Sequence, residues 1–266
     1  AEEQIAHGKI KAQLFLSNGT KCDLGENDCL LNEGQVNVVA SGGKLQYENK
    51  AGELEEEVKY NVLVVPRGGE YTLALSDGTV VNLHSESELK YPVLFTGDTR
   101  TVRVSGEAYF EVAKDKKPFI VKTSRYDVEV LGTTFSVEAY KDKPNFRTML
   151  YAGKVKLYNT KTPKAVYLSP GQTAELQGES LRVVPTTDPN SYRWKDGLIY
   201  IEDKSFHAIM ELFEKFYDVQ IVVNNKAVED LGYRGKLRVS DGVDHALRVL
   251  QNDFPFKYKR DEEKNI

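Results

Sequence analysis

The sequence predicts a mainly β chain: a large all-β domain of rolled or solenoid-like stacked hairpins, then a small βαββαβ α/β domain. Three observations carry that prediction. From Arg67 to Tyr140 almost every segment alternates or clusters Val, Leu, Ile, Phe, Tyr and Thr, then breaks at Gly, Asp, Asn or Pro, the pattern of short strands joined by tight turns. Near residue 198 the apolar period changes from 2 to 3.6. Between the two lies PTTDPNSYRWKDG (Pro185 to Gly197), rich in Pro and small polar residues.

Taken in order, residues 11 to 65 read as strands at KAQLFL, KCDL, QVNVVA, KLQY and YNVLVV. The clearest turn is Ser76-Asp77-Gly78-Thr79, where Asp-Gly reaches φ > 0 at low cost. AQLFLSNGTKCDL (Ala12 to Leu24) aligns without a gap on YTLALSDGTVVNL (Tyr71 to Leu83). These are either two ordinary hairpins or one motif reused, and reuse favours stacked hairpins or a coiled sheet. In GEAYFEV, alternation puts Glu107, Tyr109 and Glu111 on a solvated or partner-facing side, and Ala108, Phe110 and Val112 in the core. The two carboxylates stand roughly 13 Å apart on an extended strand, beyond the roughly 5 to 9.5 Å of a glycosidase pair. Strands continue at PFIV, YDVEVLG, TTFSVEAY, FRTMLYAG, KVKLYN, KAVYLS and QTAELQ, punctuated by Gly132, Gly153 and Gly171.

The first domain therefore runs over 1–184, the linker over 185–197 and the second domain over 198–266. Trp194, the single tryptophan, either packs between domains or caps the start of the second. LIYIE opens that domain as a strand, and Phe206, Ile209, Met210, Phe213 and Phe216 form a helical stripe behind a cap at Asp203 or Ser205. VQIVVNN and GKLRVS are strand-like; Ser240 or Asp241 caps a helix carrying Val243, Ala246, Leu247 and Leu250; FKYKRDE is the final strand. Both helices are expected on one sheet face.

Thirty-six Lys and Arg against 40 Asp and Glu give a net charge of −4, with no general electrostatic claim on nucleic acid. No run of about 18 apolar residues is present to span a membrane. Cys22 and Cys29 are the only cysteines, either bridged in an oxidising compartment or two buried thiols; with four His they give a zinc site little support. The phosphate-binding, zincin and nucleophile-elbow motifs are missing. His84 stands two residues before Glu86, beside Ser85 and Ser87, a spacing that alternation alone produces. Arg100, Arg103 and Lys122 are mixed with acids rather than striped. The residues display no catalytic constellation and call for no cofactor.

The motifs PRGGEYTLALSDGT, YP, GEAYFEV, PFIV, VLGTTFSVEAY and YLSPGQTAEL resemble the periplasmic part of FecR-like (iron-dicitrate-sensor) anti-sigma regulators, especially the Bacteroidetes type. The segment from WKDGLIYIEDKSF onward resembles their carboxy-terminal domain, itself similar to the short signalling modules of secretins and TonB-dependent receptors. The resemblance covers residues 60–266, with the β-domain motifs clearest over 60–184. The family pattern falls on Arg67, Gly68, Gly69, Asp77, Gly78, Thr79, Gly106, Glu107, Phe110, Val112, Gly132, Thr133, Phe135, Trp194 and Gly197. Where relatives carry Trp-Leu-Asn, this chain has Asn82-Leu83-His84. The resemblance implies a non-enzymatic role, as the exported, periplasmic part of a single-pass inner-membrane protein whose membrane helix and cytoplasmic anti-sigma segment lie outside this sequence. Its implied partner is the signalling domain of a TonB-dependent outer-membrane receptor, and it reaches an extracytoplasmic-function sigma factor only through the cytoplasmic segment. A glycan-binding or structural β-rich envelope module is the competing class. Docking is expected at the edge carrying Val219, Ile221, Val223, Lys236 and Arg238, or at Trp194.

Overall fold

The computed structural model describes residues 9–25, 29–34, 36–49, 58–159, 162–224 and 232–260. The strands begin with β1 (Lys9–Ile10), β2 (Ala12–Phe15), β3 (Lys21–Leu24), β4 (Cys29–Glu33), β5 (Val36–Ser41), β6 (Lys44–Asn49) and β7 (Tyr60–Val65). They continue with β8 (Gly69–Ala74), β9 (Val80–Leu83), β10 (Ser87–Pro92), β11 (Arg100–Glu111), β12 (Phe119–Lys122) and β13 (Asp127–Val130). After β14 (Thr134–Ala139) and β15 (Arg147–Ala152) come β16 (Val155–Asn159), β17 (Thr162–Leu168), β18 (Gln172–Gln177) and β19 (Ser180–Pro185). The last elements are β20 (Leu198–Lys204), α1 (Phe206–Tyr217), β21 (Tyr233–Arg238) and α2 (Val243–Leu250). Contacts group Ile10–Pro66 with Glu70–Thr186 in one compact unit, and Thr187–Ile266 with the turn Arg67–Gly69 in another.

The β unit is two sheets that share one strand. The first runs β3-β2-β7-β10-β11-β12-β13-β16-β17. The second runs β4-β5-β6-β8-β9-β11-β14-β15-β18-β19. From β12 onward the chain lays two strands in the first sheet, two in the second, and repeats, so each hairpin stacks on the one laid two hairpins earlier. This is the predicted stacked-hairpin, solenoid-like architecture. Strand alternation turns one face of each sheet inward and the two faces share one core. Across the second sheet Leu45, Leu73, Val81, Phe110, Phe135 and Leu150 stand in register and are fully buried. Phe110 stacks on Phe135 at 5.0 Å and meets Phe119 of the first sheet edge-on at 6.2 Å. Each such side chain contributes about 1.5 to 3 kcal/mol.

Strand β11 passes from one sheet to the other at Gly106: residues 103–105 pair with β10, and 106–111 with β14. Gly106 has φ +110°, and a Cβ there would collide with Ser87. The Ser87 hydroxyl accepts from Glu107 N (2.8 Å), one of the bonds that hold this crossing. Ala108, Phe110 and Val112 are buried as expected, but so is Tyr109, which packs against Tyr151 instead of meeting solvent.

The two aligned hairpins close the same way. Leu16 N donates to Thr20 O and Gly19 N to Leu16 O; Leu75 N donates to Thr79 O and Gly78 N to Leu75 O. In each, the Asx side chain accepts from the amide of Thr20 (Asn18) or Thr79 (Asp77). One turn chemistry thus serves both sheets.

In the second unit, β20 and β21 form a two-stranded antiparallel sheet. Helix α1 buries the predicted stripe and begins at Ser205, whose hydroxyl accepts from Ala208 N. Helix α2 buries Val243, Ala246, Leu247 and Leu250, but its cap is Gly242 and makes no side-chain bond, so neither Ser240 nor Asp241 performs that role. Two predicted strands differ. Residues 219–224 and 256–260 are not part of any ladder among the described residues, because β21 pairs with β20 alone. Asp218 at φ 53° turns the chain out of α1, and Pro255 offers no amide to a ladder just before the second segment.

Candidate protein-docking groove

The carboxy-terminal unit holds a groove of about 430 Å³. Phe206 and Met210 of α1 and Val243 and Leu247 of α2 supply its apolar lining, and residues 219–224 and 256–260 flank it. Residues 219–224 alternate as a strand does: Val219 is buried, Ile221 and Val223 are half-buried, and Gln220, Val222 and Asn224 are exposed. Val222 is 56% exposed.

Polar contacts fix the walls. Ile221 N donates to the Glu214 carboxylate at 2.6 Å, which ties one edge of the segment to α1. Within the same unit, Arg67 donates to the carbonyls of Glu214 (3.3 Å) and Val219 (3.0 Å), holding the helix end and the segment's first residue. In extended chain the amides of Gln220, Val222 and Asn224 face the edge opposite Ile221, and among the described residues no hydrogen bond engages those three. On the facing wall, Tyr258 donates to Asp244 at 3.3 Å and Arg260 lies 3.7 Å from the same carboxylate. Asp244 sits in the first turn of α2, where negative charge is favoured. Lys257 and Lys259 are exposed, so the wall is basic. Among the described residues no three His, Cys, Asp or Glu side chains gather to hold a metal. No helix of the described residues is long and apolar enough to cross a membrane.

The structure brings Val219, Ile221 and Val223 to this groove and leaves Lys236 and Arg238 elsewhere. Both sit exposed on β21, with Lys236 over the Tyr200 ring at 5.3 Å. Among the described residues no ladder joins 219–224 to β21, which pairs with β20. Trp194 is buried (3% exposed) in the turn Ser191–Asp196, so its indole is a packing element. Cys22 and Cys29 lie side by side in the β unit, with their sulfur atoms 3.4 Å apart. Sequence reasoning missed Phe254 and Phe256, whose rings meet Phe206 at 5.4 and 5.0 Å and anchor the second wall. The signal was the Phe-Pro-Phe spacing at 254–256, which marks a bent, packed segment rather than a ladder strand.

Two family models match the chain. The one described as FecR protein covers residues 61–156, and the one described as FecR, C-terminal covers 198–266, together more than half of the sequence. The chain belongs to the FecR family. Two solved structures are also similar, both of a protein from Parabacteroides distasonis ATCC 8503 proposed to be an anti-sigma factor. One is 27% identical with a TM-score of 0.66, covering 76% of this chain and 95% of that one. The other is 26% identical with a TM-score of 0.67, covering 77% and 96%. No curated protein matches.

The FecR motif residues now have physical roles. The Asp77 carboxylate accepts from the Thr79 amide (3.0 Å) and hydroxyl (2.7 Å), and from Arg100 at 2.7 Å. Arg100 is 1% exposed and also donates to the carbonyls of Ala113, Lys117 and Leu131. Its guanidinium thus ties the SDGT hairpin to the connection between β11 and β12 and to Leu131 at the end of β13, a role the sequence did not disclose. Nδ1 of His84 pairs with Glu107 at 3.2 Å, not with Glu86, which turns away at φ 58°.

Proposed function

We propose that this FecR-family chain is the periplasmic sensing part of a transmembrane anti-sigma regulator of the Bacteroidetes type. It relays the state of a TonB-dependent outer-membrane receptor by protein–protein contact. The reading draws on the family match and on the proposed role of the two similar structures. The observation that carries it is the unladdered segment 219–224 beside an apolar groove. A strand of the receptor's signalling domain adds along the Gln220, Val222 and Asn224 edge and covers Val222. That domain changes the output only through unequal affinity for two states of the regulator. The sigma factor is reached through a membrane helix and cytoplasmic segment outside this sequence.

The glycan reading would use exposed tyrosines of the β unit. Tyr60 on β7 and Tyr167 on β17 stand six strands apart in the first sheet, roughly 29 Å at strand spacing, too far to hold one sugar ring.

The test is calorimetric titration of the intact chain with the signalling domain of the receptor encoded beside it. Val222→Asp should weaken binding tenfold or more, roughly the loss of one well-placed apolar contact. Val183→Asp, on exposed strand β19, should leave it unchanged. Absence of binding by the unsubstituted chain refutes receptor docking, and an unaffected V222D moves the interface off this edge.

A further inference from the structure

The β sandwich ends, toward its amino terminus, in two strands that each have a neighbour on one side among the described residues. Strand β3 pairs with β2 and closes the first sheet; β4 pairs with β5 and closes the second. Cys22 lies in β3 opposite Leu14, and Cys29 opens β4 opposite Ala40. Their sulfur atoms are 3.4 Å apart. Both side chains are half-buried and pack against the shared core. The Tyr71 hydroxyl is buried with no hydrogen-bond partner among the described residues.

We infer that Cys22 and Cys29 form an intrachain disulfide that staples the edge strand of one sheet to the edge strand of the other. The sulfur atoms need approach by only roughly 1.3 Å to reach bonding distance. The seam it closes is the weakest kind a sandwich has, an edge whose outer backbone groups are unladdered and which here carries Leu30 at 70% exposure.

The chemistry balances through thiol–disulfide exchange with a dithiol oxidant. One cysteine thiolate attacks the oxidant's disulfide and forms a mixed disulfide. The second thiolate then displaces the oxidant as a dithiol. Two electrons pass to the oxidant, which takes up the two protons the cysteines lose. Burial, with the neighbouring Cys29, pushes the Cys22 thiol up to about 11, so little thiolate is present at neutral pH and unassisted oxidation of the folded chain is slow. The formed bond is sheltered for the same reason. Only the source of oxidant in the cell rests on the periplasmic placement proposed above.

The experiment uses the full chain, purified reduced and equilibrated in oxidised and reduced glutathione. Intact-mass and peptide mapping should show loss of two hydrogens and one Cys22–Cys29 cross-link. The oxidised form should melt roughly 5 to 10 °C above the reduced form, as expected for a loop this short in a domain of this size. The Cys22→Ser/Cys29→Ser double variant should fold and show no redox dependence. Glutathione adducts on separate cysteines, intermolecular dimers, or equal melting of oxidised and reduced forms would overturn the staple. Alkylation in intact cells before lysis separates the two readings. Free thiols there, with the cross-link forming readily in glutathione, would overturn the periplasmic placement and leave the staple standing.

Discussion

Replacing Arg100 tests how the β unit is held together. Its guanidinium is buried and donates to the Asp77 carboxylate at 2.7 Å and to the carbonyls of Ala113 (2.9 Å), Lys117 (3.1 Å) and Leu131 (3.2 Å). It also stacks over Phe119, 5.3 Å from the ring centre. Arg100→Met keeps most of the volume and leaves one carboxylate and three carbonyls without their donor. Breaking a buried pair on one side costs about 3 to 5 kcal/mol, and each orphaned carbonyl adds about 1 kcal/mol unless water enters. We therefore expect a loss of about 6 to 8 kcal/mol, or about 3 to 5 kcal/mol where water satisfies the carbonyls, a large part of the stability of an ordinary domain. Arg100→Lys can satisfy only part of the set and should lose about half as much. Urea unfolding followed by tryptophan-independent far-ultraviolet dichroism gives the midpoints, and the Asp77→Asn cycle isolates the ion pair. A loss below about 1 kcal/mol for Arg100→Met would show that the guanidinium only fills space, refuting its role as the tie between hairpins.

Two further perturbations follow from the same geometry. Gly106→Ala places a Cβ on Ser87 at φ +110° and should cost about 2 to 4 kcal/mol in the same unfolding assay, whereas a neutral result would deny that β11 needs glycine to change sheets. Burial raises the Glu70 carboxyl from 4.5 to about 7, so its neutral form is favoured in the folded chain. That contribution is full below pH 4.5 and is lost as pH rises through 7, with an upper bound of about 3 kcal/mol. Glu70→Gln should therefore flatten the fall in melting temperature between pH 5 and 8, read by calorimetry; an unchanged slope would assign the fall to other groups.

What the sequence disclosed was local. The Ser76–Thr79 turn, the inward row through Phe110 and Phe135, and the stripe from Phe206 to Phe216 each depend on residues close in the chain. Residues 219–224 show where that stops. Their composition is right for an extended, alternating segment, and the segment does alternate, but whether a neighbour pairs with it is decided by distant residues. The two strands read as its neighbours pair elsewhere or form no ladder at all. Arg100 fails for the same reason. A charged residue opening a strand reads as exposed, and the four acceptors that bury it come from residues 77, 113, 117 and 131. Tyr109 sits on the face that alternation assigns to solvent and is nonetheless covered.

The groove also limits how receptor docking can work. Each backbone hydrogen bond gained along the Gln220–Asn224 edge replaces one to water and contributes about 1 kcal/mol net. The three free amides and the burial of Val222 together give about 4 to 5 kcal/mol before any cost of association. A gross energy of that size corresponds at best to about millimolar binding, and the entropy of docking can consume all of it. Strand addition by itself is therefore too weak to report the state of a receptor. The additional energy has to come from the apolar space beside the strand, lined by Phe206, Met210, Val243 and Leu247. In the proposed docking, one partner side chain of Leu or Phe size would have to be seated there to add about 2 to 3 kcal/mol. In that proposed docking the strand supplies alignment and the groove supplies affinity. An acidic partner strand gains a third component from Lys257 and Lys259, felt in the rate of encounter and weakened by salt.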